Sequence, residues 1–447
     1  MVDDGALGGW SRRRTLTTVG GMLSLTGCLT ESKPNNPAPG TTTQRKDGDE
    51  VSNSWPCFGY DAKNSGAAPT AREPVRNTRV EWRFDAGTPT MNSSPVVVDG
   101  VVYTTGTGDP GGIHAVDAES GGEVWQFDTA GYVSSTPAVV DGVLYAGTWG
   151  KQFYAVDIES GHRRWKADIG HRFGSSSPVV ADERVFVGTI GDGPLVVSGS
   201  EDEEKFEACA LLALDAERGN ELWRYDDFGE RAHIESSPAV ADGRVHFSAE
   251  DGVHALNVET GEVVWSRGII RNSHVSPAIR DGLVYYAGSY DGDTPSRLWA
   301  LDAETGEIRW TYGMDDMSQK ISPTVADGTV YVPVSSSRIC LTGGSDDDCS
   351  GVMRGRLYAV DAETGTEQWK TEIETDTRSS PAVANGVVYV GCRDGISAVT
   401  VDGDAAWRVD FDGEREDGPY VQSSPAVAGG RVFIGASDGR LRAIGEK

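Results

Sequence analysis

The chain has 447 residues, 68 acidic against 40 basic, and a formal net charge of −28. So acidic a surface repels nucleic acid and anionic lipid headgroups, which sets DNA or RNA binding aside. The six cysteines and seven histidines show no Cys-x-x-Cys-His haem signature and no cluster with zinc spacing.

Residues 1–28 read as an export signal. Ser11-Arg12-Arg13-Arg14-Thr15-Leu16 resembles a twin-arginine motif, and Leu25-Thr26-Gly27-Cys28 resembles a lipobox. The apolar run between them is too short and too rich in Gly and Thr for a stable membrane span. Cleavage before Cys28 and lipidation of its thiol would export the protein and anchor it to the outer face of the cell membrane. Residues 29–53, rich in Thr, Asn, Pro and charge without periodicity, read as a disordered linker. The acidic excess, with Lys scarce beside Arg, resembles haloarchaeal lipoproteins, whose brine screens self-repulsion. The melting temperature is therefore expected to rise from dilute buffer to molar potassium chloride. A melt indifferent to salt contradicts this.

Residues 54–447 read as one domain of repeats about 40 residues long. Ser-Ser-Pro or a near copy recurs at Pro95, Pro137, Pro178, Pro238, Pro277, Pro323, Pro381 and Pro425. A tryptophan keeps step with each, from Trp82 and Trp125 to Trp369 and Trp407. Between Pro137 and Trp165 lie four short strand-like segments, the first apolar and joined to the second by Asp141-Gly142, a tight-hairpin dipeptide, the fourth carrying Trp165. We name the strands a to d from the inside outwards. The pattern opens on a lone d strand at Arg79–Phe84, runs through seven complete units, and ends on a, b and c alone. The expected fold is all-β: an eight-bladed β-propeller of four-stranded antiparallel blades, closed by the N-terminal strand completing the last blade.

The phrase Asp-x-x-Thr/Ser-Gly-x-x-x-Trp, from Asp117, Asp157, Asp302 and Asp361, resembles the tryptophan-docking motif of the quinoprotein-like β-propeller family. The opening Trp55-Pro-Cys-Phe-Gly-Tyr-Asp-Ala-Lys-Asn-Ser-Gly is similar to that family's lead-in segment. The family includes quinone-dependent alcohol dehydrogenases and non-enzymatic members, among them the lipoprotein propeller of the bacterial outer-membrane assembly machinery. The enzyme reading would imply pyrroloquinoline quinone (PQQ) and Ca²⁺ in the central channel, with Glu235, Asn92, Lys320 and Arg378 of suitable type. It is weakened here because no two cysteines are neighbours in sequence, no haem motif is present and the decorating insertions are short. The preferred reading has no cofactor and no catalytic residue. It is a non-catalytic, monomeric propeller that binds an envelope protein or peptide.

All length variation falls in the d–a and b–c connections, at Gly191–Cys209, Tyr290–Arg297, Val334–Gly355, Asp226–His233 and Phe411–Gln422, so one face carries the adaptable loops. The residue three before each recurring proline is always polar and varies: Asn92, Ser134, Ser175, Glu235, His274, Lys320, Arg378 and Gln422. Pseudosymmetry puts these at the channel mouth, as a ligand site or a wet rim. Trp149, at the end of strand b of blade two, breaks the tryptophan register and joins this candidate site. His114, His246 and His254 are expected to be satisfied structural residues. Cys340 and Cys349 bracket a polar loop and read as a disulfide in an oxidising compartment. Cys57, Cys209 and Cys392 are left over, with Cys57–Cys392 one pairing that ring closure would allow.

Overall fold

The computed structural model describes residues 54–68, 78–108, 111–191, 209–228, 233–270, 274–288, 296–315, 321–335, 355–373, 377–412 and 419–446. The expectations at Cys28, Lys320, Cys340 and Cys349, and for the signal and linker, lie outside the described residues.

Among the described residues, all helix- or strand-type structure is β: eight four-stranded antiparallel sheets. Blade two shows how the sequence builds one, with a at Ala138–Val140, b at Val143–Gly147, c at Gln152–Asp157 and d at Arg163–Asp168. Asp141 and Gly142 sit at φ 49° and 76°, the paired left-handed conformation that closes a two-residue hairpin. Strand b is buried throughout because neighbouring blades cover both its faces. Strand d alternates exposed and half-buried residues because it forms the outer rim. At the c–d turn the Asp157 carboxylate accepts from the Ser160 amide (2.9 Å) and hydroxyl (2.8 Å) and from Arg164 (2.7 Å). The Arg164 bond, ahead of the Ser160 bonds, holds this carboxyl well below its usual range.

The recurring tryptophans join each blade to the next. Seven indole N–H groups, from Trp82 to Trp369, donate to the carbonyl just after strand c of the following blade, at 2.8–3.2 Å. Each ring lies over the turn glycine of that neighbour, where a side chain could not fit. Each also meets the third residue of its own blade's b strand, at centroid distances of 5.5–6.0 Å. That third residue is Tyr or Phe in seven blades and His246 in blade four.

Closure follows the expected scheme. Thr78–Asp85 pairs antiparallel with Arg440–Glu446, the c strand of blade eight. Trp82 meets Phe433 of blade eight at a tilt and donates to Ala118 of blade one, repeating the geometry of Trp125, Trp165, Trp223, Trp265, Trp310 and Trp369. The a strands follow one another around the axis, and that of blade one packs beside that of blade eight.

The opening segment, Trp55–Ala68, is a plug wound around the channel axis. Strand pairing leaves the central residue of each a strand with its N–H directed at the axis. Carbonyls of the plug accept from Val97, Val139, Val240, Ile279, Val325 and Val383, taking in six blades in turn at 2.6–2.9 Å. The Asn64 side-chain amide adds bonds to the Ser237 and Pro238 carbonyls (3.2 and 2.9 Å).

Two expectations are corrected. Cys57 and Cys392 are both free buried thiols, one in the plug and one ending strand b of blade seven, so they form no disulfide. Cys209 is also free, and burial pushes its thiol up to about 12. His114 and His254 are partnered, by Glu123 (3.1 Å) and Asp251 (2.9 Å). His246 is not a satisfied histidine: it is fully buried and neither ring nitrogen has a partner, because it fills a slot shaped for Tyr or Phe.

Candidate functional site

The two serines of each Ser-Ser-Pro phrase have different tasks. In blades one, four and eight the first ties strand a to strand b of its own blade: the Ser236 hydroxyl donates to the Ser248 carbonyl (2.8 Å) and accepts from the Ser248 amide (3.0 Å), as Ser93 does with Thr105. Ser423 does the same with Gly435, at 2.9 Å both ways. The second serine ties blade to blade. The backbone N–H of Ser94 donates to the Thr136 hydroxyl, Thr136 to Ser177, Ser177 to Ser237, and Ser237 to Ser276. Ser276 then donates to Ser322, Ser322 to Ser380, Ser380 to Ser424, and Ser424 back to Ser94. All eight bonds measure 2.8–3.1 Å, and the circle closes across 330 residues of sequence.

Above this ring lies a cup of about 360 Å³, with Phe58 of the plug among its lining residues. Its lining includes all eight ring hydroxyl residues. It also includes Asn92, Ser134, Ser175, Glu235, His274, Arg378 and Gln422, so the structure brings together every described member of the variable polar position. Glu235 and His274, on adjacent blades, form an ion pair. Glu250 stands near this pair and His233, and its carboxyl is raised by burial. The Arg378 guanidinium lies over the Tyr420 ring at 5.0 Å.

Trp149 lies just past strand b, in the b–c turn. Its indole N–H donates to the Ser134 hydroxyl (3.0 Å), its ring stacks on Tyr132 (4.8 Å), and Arg172 sits 5.9 Å from the ring centroid. It therefore touches the wall of the cup through Ser134 rather than lining it directly.

Phe58, Tyr420 and the hydroxyl ring escaped the sequence reading. The ring had a signal: Ser or Thr immediately before all eight prolines is an invariance that a solvated rim would not demand.

No three His, Cys, Asp or Glu side chains among the described residues converge on a common point. Glu235, the single carboxylate in the described lining of the cup, is engaged by His274.

The fold and site define a tryptophan-docked, eight-bladed propeller of the quinoprotein-like class, with a hydroxyl-ringed cup at one end of a plugged channel. The chain belongs to the PQQ_2 family, described as outer membrane protein assembly factor BamB, which it matches over residues 74–201, 109–245, 208–346 and 350–447. Its relatives are of several kinds, a serine/threonine-protein kinase, AfsK of Streptomyces coelicolor, among them, 27% identical over 320 residues, 62% of this chain and 35% of that protein. BamB of Yersinia pestis is 24% identical over 309 residues, covering 63% of this chain and 67% of that protein. Polyvinylalcohol dehydrogenase of a Sphingopyxis strain is 34% identical over 137 residues, 29% of this chain, and the match spans only 21% of that enzyme. Among solved structures, BamB of Moraxella catarrhalis superposes with a TM-score of 0.61 at 18% identity, over 82% of this chain and 99% of that one.

Proposed function

We propose that the protein is a lipid-anchored, extracytoplasmic propeller that binds an envelope protein or peptide through its loop face and performs no chemistry. The observation that carries this reading is the contrast between the two faces. Every a–b hairpin has two residues and the c–d turns are nearly uniform, whereas the b–c connections run from the two-residue link Ala249 to Gly252 to the long excursion from Gly188 to Leu211. A rigid frame with variety on one side suits recognition of an asymmetric surface. Relatives named as outer-membrane assembly factors support a protein partner at the envelope, and the lipobox-like Cys28 supports the tether. The named dehydrogenases support the competing reading, a quinone enzyme, which the present donor set does not favour.

The test is crosslinking in intact envelopes, followed by purification of the tagged full chain. One stoichiometric partner is expected, lost in a loop-face variant (Arg378→Glu with Tyr420→Ala) and kept in a turn-face variant (Arg184→Glu). Loss in both variants, or in neither, overturns the assignment of the face.

A further inference from the structure

We propose that the cup is a binding site for a small anion held on the channel axis by the ring of eight hydroxyls. Each ring oxygen already accepts a backbone N–H from the preceding blade. What each hydroxyl retains to offer is its proton, and among the described residues none of the eight gives that proton to a protein acceptor. Six of the eight are buried, Ser94, Thr136, Ser177, Ser237, Ser276 and Ser322. A buried hydroxyl donor left without an acceptor is unfavourable, so the ring calls for an occupant rich in acceptors.

An anion meets that demand better than water does, because it accepts from several converging donors and brings no protons of its own. The wall above supports it. Arg378 supplies a guanidinium, and Asn92 and Gln422 supply side-chain amides that donate. The charge of Glu235 is turned towards His274. At about 360 Å³ the cup exceeds the ~30 Å³ share of one water many times over, which admits an oxyanion or small carboxylate together with solvent. The net charge of −28 opposes entry at low ionic strength, but with a Debye length of about 3 Å at 1 M salt that opposition is local. The ligand chemistry is thus acceptor-only and anionic, from an inorganic oxyanion or a short dicarboxylate. It does not depend on the partner-binding role.

Crystals of the full chain are soaked in selenate, and a second set in malonate, and both anions are titrated calorimetrically at constant ionic strength. Selenium anomalous density or ordered malonate is expected on the axis, within hydrogen-bonding distance of ring hydroxyls. Selenate alone points to an inorganic source, malonate alone to a carboxylate, and either supports the site. Ser177→Ala with Ser380→Ala is expected to weaken binding at least tenfold. Because those changes also remove blade-to-blade acceptors, Arg378→Gln, which leaves the ring intact, serves as the second variant and is expected to weaken binding several-fold. Water alone in the cup, with no saturable heat for either anion, overturns the proposal.

Discussion

Replacing His246 with tyrosine is expected to stabilise the protein, and by more as the solution is made acidic. The imidazole is buried with both nitrogens unpartnered and lies tilted against Trp265, with ring centroids 5.5 Å apart. Burial, with the nearby Arg244 charge a smaller cause, lowers its pKa from 6.5 to about 3. The folded protein thus refuses a proton that the unfolded chain takes up below about pH 6.5. Stability linked to this group is fully present above that pH and falls by up to about 1.4 kcal/mol per pH unit on the way down towards 3. In the variant that slope disappears. Tyr145 and Tyr285 show the second gain, since their hydroxyls donate to Ala216 (3.2 Å) and Ala362 (3.1 Å), the carbonyls that also receive Trp165 and Trp310. A tyrosine at 246 has the Ala303 carbonyl, which already accepts from Trp265, in the corresponding place. Removing two unsatisfied buried nitrogens and adding one hydrogen bond is worth about 1–3 kcal/mol at neutral pH. Denaturant melts of both proteins from pH 7.5 to 4.5 decide the matter; parallel curves would show that His246 titrates in the folded state.

The second large effect separates backbone strain from packing. Gly306 and Gly282 both sit at positive φ, +68° and +77°. A Cβ on Gly306 would lie 2.6 Å from Cδ2 of Trp265, whereas one on Gly282 meets nothing within 4 Å. Gly282→Ala should therefore cost only the price of a left-handed alanine, about 1–2 kcal/mol. Gly306→Ala adds overpacking of about 1–3 kcal/mol and the loss of the indole bond to Ala303. The expected total is about 3–5 kcal/mol, with Trp265 fluorescence shifted to the red. Equal costs at the two sites would mean that the tryptophan does not dock as described.

These cases mark what the sequence could and could not reveal. Closure was legible because it is a matter of counting: one strand before seven full units and three after them, most units stamped by an Asp-Gly hairpin and every full unit by a glycine in its c–d turn. The variable polar position was legible because pseudosymmetry turns a sequence offset into a place, and Asn92, Glu235, His274, Arg378 and Gln422 do share the cup. The plug was not legible. Its bonds are made by backbone carbonyls, which leave no side-chain signature, so Trp55–Ala68 read as a motif without a path. His246 was misjudged because a histidine beside a strand reads as partnered until its seven Tyr and Phe counterparts are aligned with it. Pairing of Cys57 with Cys392 failed for a spatial reason: ring closure brings chain ends together, but the plug holds Cys57 at the axis near blades two and three.

Whether this propeller binds or catalyses is tested most directly by adding PQQ and Ca²⁺ to the purified full chain, then reading the quinone absorbance after gel filtration and dye-linked oxidation of alcohols. A binding propeller is expected to elute without the chromophore and to leave alcohols unoxidised. One equivalent of retained quinone with calcium-dependent turnover would contradict the account and restore the dehydrogenase reading.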